Sequence, residues 1–320
     1  MSTGDVAHVV SIGLSAAIVS VQDERPRVLT VRSPQGGDDA LPFGPFDPLH
    51  HRTLESGLRS WVKEQTSLDL GYAEQLYTFG DRGRHLLKAG EGPRVVSVGY
   101  LALIRGRETP ADTNWSDWYR FFPWEDRREE MPRIIAETIL PALKAFVRAA
   151  SGPMGEQRRE RVRLCFGTEG ASWDEERVLE RYELLYEAGL VQEAARDGRP
   201  EARANSALGD GMIFDHRRIL ATAIARLRGK MKYRPVVFEL MPQVFTLLEL
   251  QRTVEAISGV RLHKQNFRRL VEAQGLVEGT GRSAARARGR PAELFRFRRE
   301  VLSERPAPGV RLGTRGRGRG

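Results

Sequence analysis

The 320-residue sequence has a single cysteine, Cys165. One thiol excludes an internal disulfide and a cysteine-rich zinc site, and it fits a reducing cytoplasm. Set between Leu164 and Phe166, it reads as a small buried hydrophobe. No stretch of about 18 consecutive apolar residues occurs, so no membrane-spanning helix is expected. The start "MSTGDVAHVV" lacks a basic residue run followed by an apolar core, so export is not expected either. There is no internal repeat. A net positive charge is also missing from most of the chain. Residues 1–260 hold 35 basic and 37 acidic side chains, a net of −2.

The excess charge is confined to the end. Residues 261–320 contain sixteen Lys/Arg against five Asp/Glu, a net of +11. A basic end on a neutral body points to a polyanionic partner, and duplex DNA is the usual one. With 40% hydrophobic and 29% charged residues, the rest has the composition of a globular protein.

Periodicity divides the first 150 residues into mixed α/β structure. "HVVSIGLSAAIVSV" and "RVLTVRS" read as strands joined by a polar turn, and "RVVSVGYLALI" as another. "LPFGPFDPLHH" reads as a Pro/Gly loop. In the stretch that follows, Leu54, Leu58, Trp61 and Val62 form one helical stripe. "RIIAETILPALKAFVRAA" is helical with a proline at its middle, and "SGPMGEQRRE" looks like a linker. "SWDEERVLERYELLYEAGLV" gives a helix with Ser172 as N-cap and Gly189 at its end. "EAARDGRPEARANSALGDG" reads as a loop and "DHRRILATAIARLRGKM" as a helix.

The C-terminal part is punctuated more sharply. Thr246 and Glu249 stand at capping-box spacing before the stripe Leu247, Leu250, Val254, Ile257, and Gly259 follows the end. "HKQNFRRLVEAQG" is a second helix. "LVEG" and "AELFRFR" are short strands around the basic loop "TGRSAARARGRP". Helix, short turn, helix, then a strand pair is the pattern of a winged helix-turn-helix. On its second helix His263, Lys264, Gln265, Asn266, Arg268 and Arg269 alternate with Phe267 and Leu270. Arg pairs bidentately with guanine, and Asn or Gln with adenine, in the major groove. Arg282, Arg286, Arg288 and Arg290 in the wing are candidates for phosphate or minor-groove contact. The tail "TRGRGRG" has nothing apolar to fold around and reads as disordered; it adds non-specific affinity or is inert.

These elements resemble two halves of one known architecture. The strand pair, "LPFG" and the helix ending "KEQTSL" resemble the box of a Nudix hydrolase. That family sets three carboxylates at i, i+3 and i+4 on one helix face to hold Mg²⁺ on a diphosphate. The corresponding positions here are Trp61, Glu64 and Gln65, with Ser60 for the motif's Arg and Ser67 for its Gly. The Gly44-to-helix spacing is about two residues too long. One carboxylate does not hold a hydrated divalent ion tightly, so no metal site and no Mg²⁺-dependent hydrolysis are expected. Taken alone, the stretch reads equally well as an ordinary amphipathic helix. Asp215–His216, residues 241–247, 266–269 and 289–292 resemble, in order, the recurring elements of the Nudix-related transcriptional regulators of NAD metabolism. These are the NrtR-type proteins, and the long 124–212 segment sides with their NadQ branch.

The resemblance implies an α+β chain: a Nudix-like α/β/α sandwich over 1–150, a helical connector over 151–234, a winged helix over 235–305 and an Arg/Gly tail over 306–320. It implies a homodimeric, cytoplasmic repressor of NAD-biosynthesis genes that binds a double-stranded operator. Its effector would be a nucleotide such as NAD, NADH, ADP-ribose or ATP, with no cofactor required. An active Nudix-type hydrolase of ADP-ribose or NADH, using Glu64, is the alternative. Arg82 and Arg84 fall near the implied ligand pocket, Glu64 is a further candidate for ligand contact, and Trp61 either stacks on a base or fills the core. His50–His51 lacks a third metal ligand in sight, and His216 beside Asp215 suggests a structural hydrogen bond.

Overall fold

The computed structural model describes residues 10–32, 39–81, 94–106, 112–199, 202–284, 291–304 and 309–310. Strand β1 (Val10–Gln22) is central to the N-terminal sheet. It runs antiparallel to β2 (Arg25–Arg32) and β4 (Phe43–Pro45), and parallel to β6 (Arg94–Leu103). Short β3 (Asp39–Ala40) and β7 (Thr113–Asp117) both pair with β2, and β5 (Tyr72–Phe79) pairs with β6.

Successive side chains of a strand face opposite ways, and here both faces are covered. Leu14, Ala16 and Ile18 of β1, with Val98, Tyr100 and Ala102 of β6, meet Leu58 and Val62 of α1 (Leu54–Thr66). Ala17, Val19, Leu101 and Leu103 face the other way, into a core shared with α6 (His216–Met231). The sheet between α1 and α6 is the α/β/α sandwich that the sequence implies. Its second layer, however, comes from residue 216 onward, beyond the helices α2 (Leu140–Arg148), α3 (Gly152–Phe166), α4 (Val178–Glu187) and α5 (Gln192–Arg196). At Gly99 a methyl group would lie 3.0 Å from Ile219, so helix and sheet approach as closely as glycine permits.

Three sequence expectations are corrected. "SGPMGEQRRE" is the start of α3, not a linker: Pro153 sits in the first turn, where its missing N–H costs nothing. Helix α4 begins at Val178, so Ser172 does not cap it. By contrast, Pro141 stands, as the sequence suggests, at the middle of an unbroken helical run over 133–148, where the π-helical stretch Ile135–Ile139 gives way to α2 and the missing N–H falls at the shift in the ladder. In the 306–320 tail, Val310 is buried and its N–H donates to Met231 O at 2.7 Å, so this part docks on the end of α6.

Ser67, which stands where the Nudix motif has Gly, closes α1 with φ +55°. The left-handed conformation costs a non-glycine residue about 1–2 kcal/mol. Ser67→Gly is therefore expected to stabilise the protein by roughly 0.5 kcal/mol, net of glycine's greater freedom when unfolded, read as a rise in Tm.

Candidate nucleic-acid interface and ligand pocket

The C-terminal domain is built from α7 (Leu247–Ser258), α8 (Lys264–Ala273) and the hairpin β8 (Val277–Ala284) and β9 (Ala292–Phe297). The capping box forms as its spacing requires. Thr246 N donates to Glu249 Oε2 (2.7 Å), and Glu249 N to Thr246 Oγ1 (3.2 Å). Gly259 ends the helix at φ +73°.

Phe267 and Val271 bury one side of α8. The other side presents His263, Lys264, Gln265, Asn266, Arg268 and Arg269, all exposed. None of these six side chains forms an ion pair or hydrogen bond among the described residues. The contrast with the connector is informative, since Arg159, Arg161 and Arg163 on α3 are each paired with a glutamate. Unpaired donors on one helix face are free to meet a polyanion. Lys264 and Arg268 share a cleft of about 780 Å³ with Arg282 of the wing, Gln251 and Glu293. Arg282 is exposed. Arg286, Arg288 and Arg290 lie outside the described residues.

The turn into α8 is set by a residue that sequence reading missed. Glu255 is buried, and its Oε1 accepts from Gln251 Nε2 (2.9 Å) and Leu262 N (2.9 Å), its Oε2 from Arg252 (3.1 Å) and Arg261 (3.0 Å). Burial raises its pKa, but these donors outweigh it and hold the carboxyl below its ordinary value. An acid set between Val254 and Ala256, four residues before Gly259, was the signal available.

On the sandwich side, the three positions that resemble the metal positions of a Nudix box do different work. Trp61 Nε1 donates to Pro45 O (2.7 Å), and its ring packs on Gly44, where a methyl carbon would come within 2.2 Å. Gln65 brackets Phe43, donating to its O (2.6 Å) and accepting from its N (3.1 Å). Both side chains are thus committed to the β4 backbone. Glu64 is exposed on the same helix. A single carboxylate beside an indole and a spent amide does not fit Mg²⁺. Among the described residues no group of three or more His, Cys, Asp or Glu is placed to hold a metal. His50 Nδ1 lies 2.5 Å from Asp47 Oδ2, and His51 Nδ1 accepts from Asp47 N (3.1 Å), so both serve their own turn.

A slot of about 170 Å³ opens between β1, β4, β6 and the start of α6. Its lining includes Ser15, Ser97, Phe43, Phe214 and His216, which the sequence did not single out as ligand residues. His216 is buried, accepts from Leu41 N at Nδ1 (3.0 Å) and turns Nε2 to Ser15 Oγ (3.4 Å). Its hydrogen bond is structural, and Asp215 is not its partner in either contact. Trp61 and Glu64 do not line this slot, although Trp61 backs its wall through Gly44. Arg82 and Arg84 lie outside the described residues.

A buried acid lies close to where the sandwich meets the C-terminal domain. Glu125 accepts from Arg181 (2.6 and 3.0 Å) and from Arg228 (2.6 Å), all three being fully buried. Burial pushes the Glu125 carboxyl up, yet the two guanidinium groups win and hold it below its ordinary value. Arg181 also stacks on Trp173, 4.0 Å from the ring centre.

Comparison with known proteins agrees with this geometry. The family model described as the NrtR DNA-binding winged helix domain matches residues 237–297. A curated protein of Acinetobacter baylyi, "ADPR responsive transcriptional repressor NtrR", is 44% identical over 86 residues, 27% of this chain and 34% of that protein. The chain thus spans about a third of the length of the curated relative it matches. Among solved structures, Shewanella oneidensis NrtR complexed with a 27mer DNA superposes with a TM-score of 0.54. It is 22% identical, over 91% of this chain and 95% of that one. A MutT/nudix family protein from Enterococcus faecalis gives 0.52 at 17% identity, over 91% and 87%. These likenesses show the fold: a Nudix-like sandwich carrying a C-terminal winged helix. No helix among the described residues is long and apolar enough to cross a membrane.

Proposed function

From an NrtR-type winged helix carried on a Nudix-like sandwich, we propose that the chain is a cytoplasmic transcriptional repressor. It binds a duplex operator through α8 and the wing, and it answers to a nucleotide held in the sandwich. The supporting observation is the outer face of α8, where six exposed base-reading and basic side chains have no partner among the described residues. A homodimer would match two such helices to the half-sites of a palindrome. The implied targets are NAD-biosynthesis genes.

ADP-ribose is the effector we favour, since the Acinetobacter baylyi relative bears the name of an ADPR responsive repressor; NAD, NADH and ATP share its adenine and phosphates. The slot beside His216, about 170 Å³, has the volume of one ring system and is lined by Phe43 and Phe214, with hydroxyls at Ser15 and Ser97. The diphosphate would lie outside it, with Arg82 and Arg84 as its proposed partners. A sensor gains from not destroying its signal, and Trp61 and Gln65 on α1 support a non-hydrolysing reading.

Two measurements test this. A thermal-shift titration with ADP-ribose should raise Tm, and incubation with Mg²⁺ or Mn²⁺ should release no product. Turnover abolished by Glu64→Gln would make the chain a hydrolase instead. In the wing, Arg282→Ala should weaken binding to specific and random duplexes about equally. It should also lower the slope of log K against log salt by about one, measured by fluorescence anisotropy.

A further inference from the structure

The last turn of a helix leaves its carbonyls without partners, and most reach water. In α7 three are taken by the sensor. Ala256 O accepts from Tyr119 Oη (2.7 Å), Ile257 O from Arg228 Nε (2.8 Å) and Gly259 O from Arg127 N (2.8 Å). Tyr119 and Arg127 lie in the segment immediately after β7, at the edge of the sandwich sheet, and Arg228 comes from α6. Five residues after Gly259, α8 begins. The sensor therefore grips the recognition helix by the preceding helix end.

Glu125 stands at the centre of that grip. Its carboxylate neutralises one of the two buried guanidinium groups and orients both. Arg181 also donates to Cys165 O and Asp174 O (both 2.9 Å), and Arg228 to Glu175 O (3.0 Å). Its own carbonyl O would lie 2.3 Å from a methyl carbon placed at Gly259, so strand-end segment and helix end touch backbone to backbone. The residual positive charge of the triad faces the negative end of the α7 dipole, which favours this docking. Burial pushes the Tyr119 hydroxyl up to about 12, so it stays a donor throughout the working range.

We propose that Glu125 is a positioning residue for the DNA interface, and that effector occupancy reaches α8 through α6, which runs from His216 in the slot to Arg228, and through the Arg228–Glu125 contact at the end of α7. This rests on the effector-controlled repressor reading above. It requires a measurable coupling, the ratio of DNA affinities with and without effector. A residue that only stabilises the fold would alter Tm and leave that ratio in place.

The test uses the full chain, ADP-ribose as probe, and a specific duplex selected from a random library. Tyr119→Phe removes one hydroxyl from the grip and keeps its shape; Glu125→Gln removes the charge and serves where it folds. Both variants should bind ADP-ribose as the wild type does and still prefer the specific duplex. Their ratio of duplex Kd with and without saturating ADP-ribose should fall at least threefold towards one. A ratio equal to wild type in folded Tyr119→Phe overturns the proposal. A wild-type ratio of one removes the effector reading itself, and the coupling with it.

Discussion

Replacing Asn266 with alanine is expected to cost the chain its discrimination rather than its affinity for DNA in general. Binding to the specific duplex should weaken about 10- to 100-fold, the roughly 1–3 kcal/mol that a bidentate base contact contributes. Binding to a random duplex should change little, because phosphate contacts through Lys264, Arg268, Arg269 and Arg282 persist. Asn266 is exposed on α8, opposite buried Phe267 and Val271, so the substitution opens no cavity. Anisotropy titrations against both duplexes separate the two effects. Equal losses on both would show that Asn266 does not read bases.

Glu125→Ala should have the largest effect on stability. It leaves Arg181 and Arg228 as uncompensated buried charges beside an empty space, a change that costs about 3–5 kcal/mol in comparable settings. Against a total stability of about 5–15 kcal/mol that is a large fraction, and it should appear as a marked fall in Tm. The pH dependence has a definite sign. The carboxyl's folded pKa lies below its ordinary 4.5. Its contribution is therefore fully present above about 4.5, and is lost as pH falls through the lower folded value. Glu255 adds to the same trend. Chemical denaturation at pH 7 and at acid pH should show the wild type losing stability in acid and Glu125→Ala losing less. Equal losses in the two proteins would remove Glu125 from the account.

How much could be read in advance follows the range of the interactions. The winged helix was legible because its signals are local: Thr246 and Glu249 three residues apart, Gly259 at the αL position, and a clean apolar stripe between them. That the helix resembling a Nudix box has one acid, Glu64, at the three positions where that family has three was legible directly. What Trp61 and Gln65 do instead was not, because their partners Pro45 and Phe43 lie 16 and 22 residues upstream. Strand β5 escaped notice since its polar face is held by α6, where Lys230 and Arg226 meet Glu74. Helix α3 was misread because Gly and Pro break helices at most positions but not in a first turn. The Glu125 triad was out of reach: its arginines are 56 and 103 residues away, and each is one charge among many in the sequence.

The central claim is that α8 reads a DNA sequence. Selection of duplexes from a random library by the purified full-length chain tests it most directly. The account predicts enrichment of a palindromic motif with half-sites about one helical turn, or a multiple of it, apart, and loss of that enrichment with Asn266→Ala. A bound pool that stays as random as the input would contradict it, and would leave the basic C-terminal end as a non-specific polyanion binder.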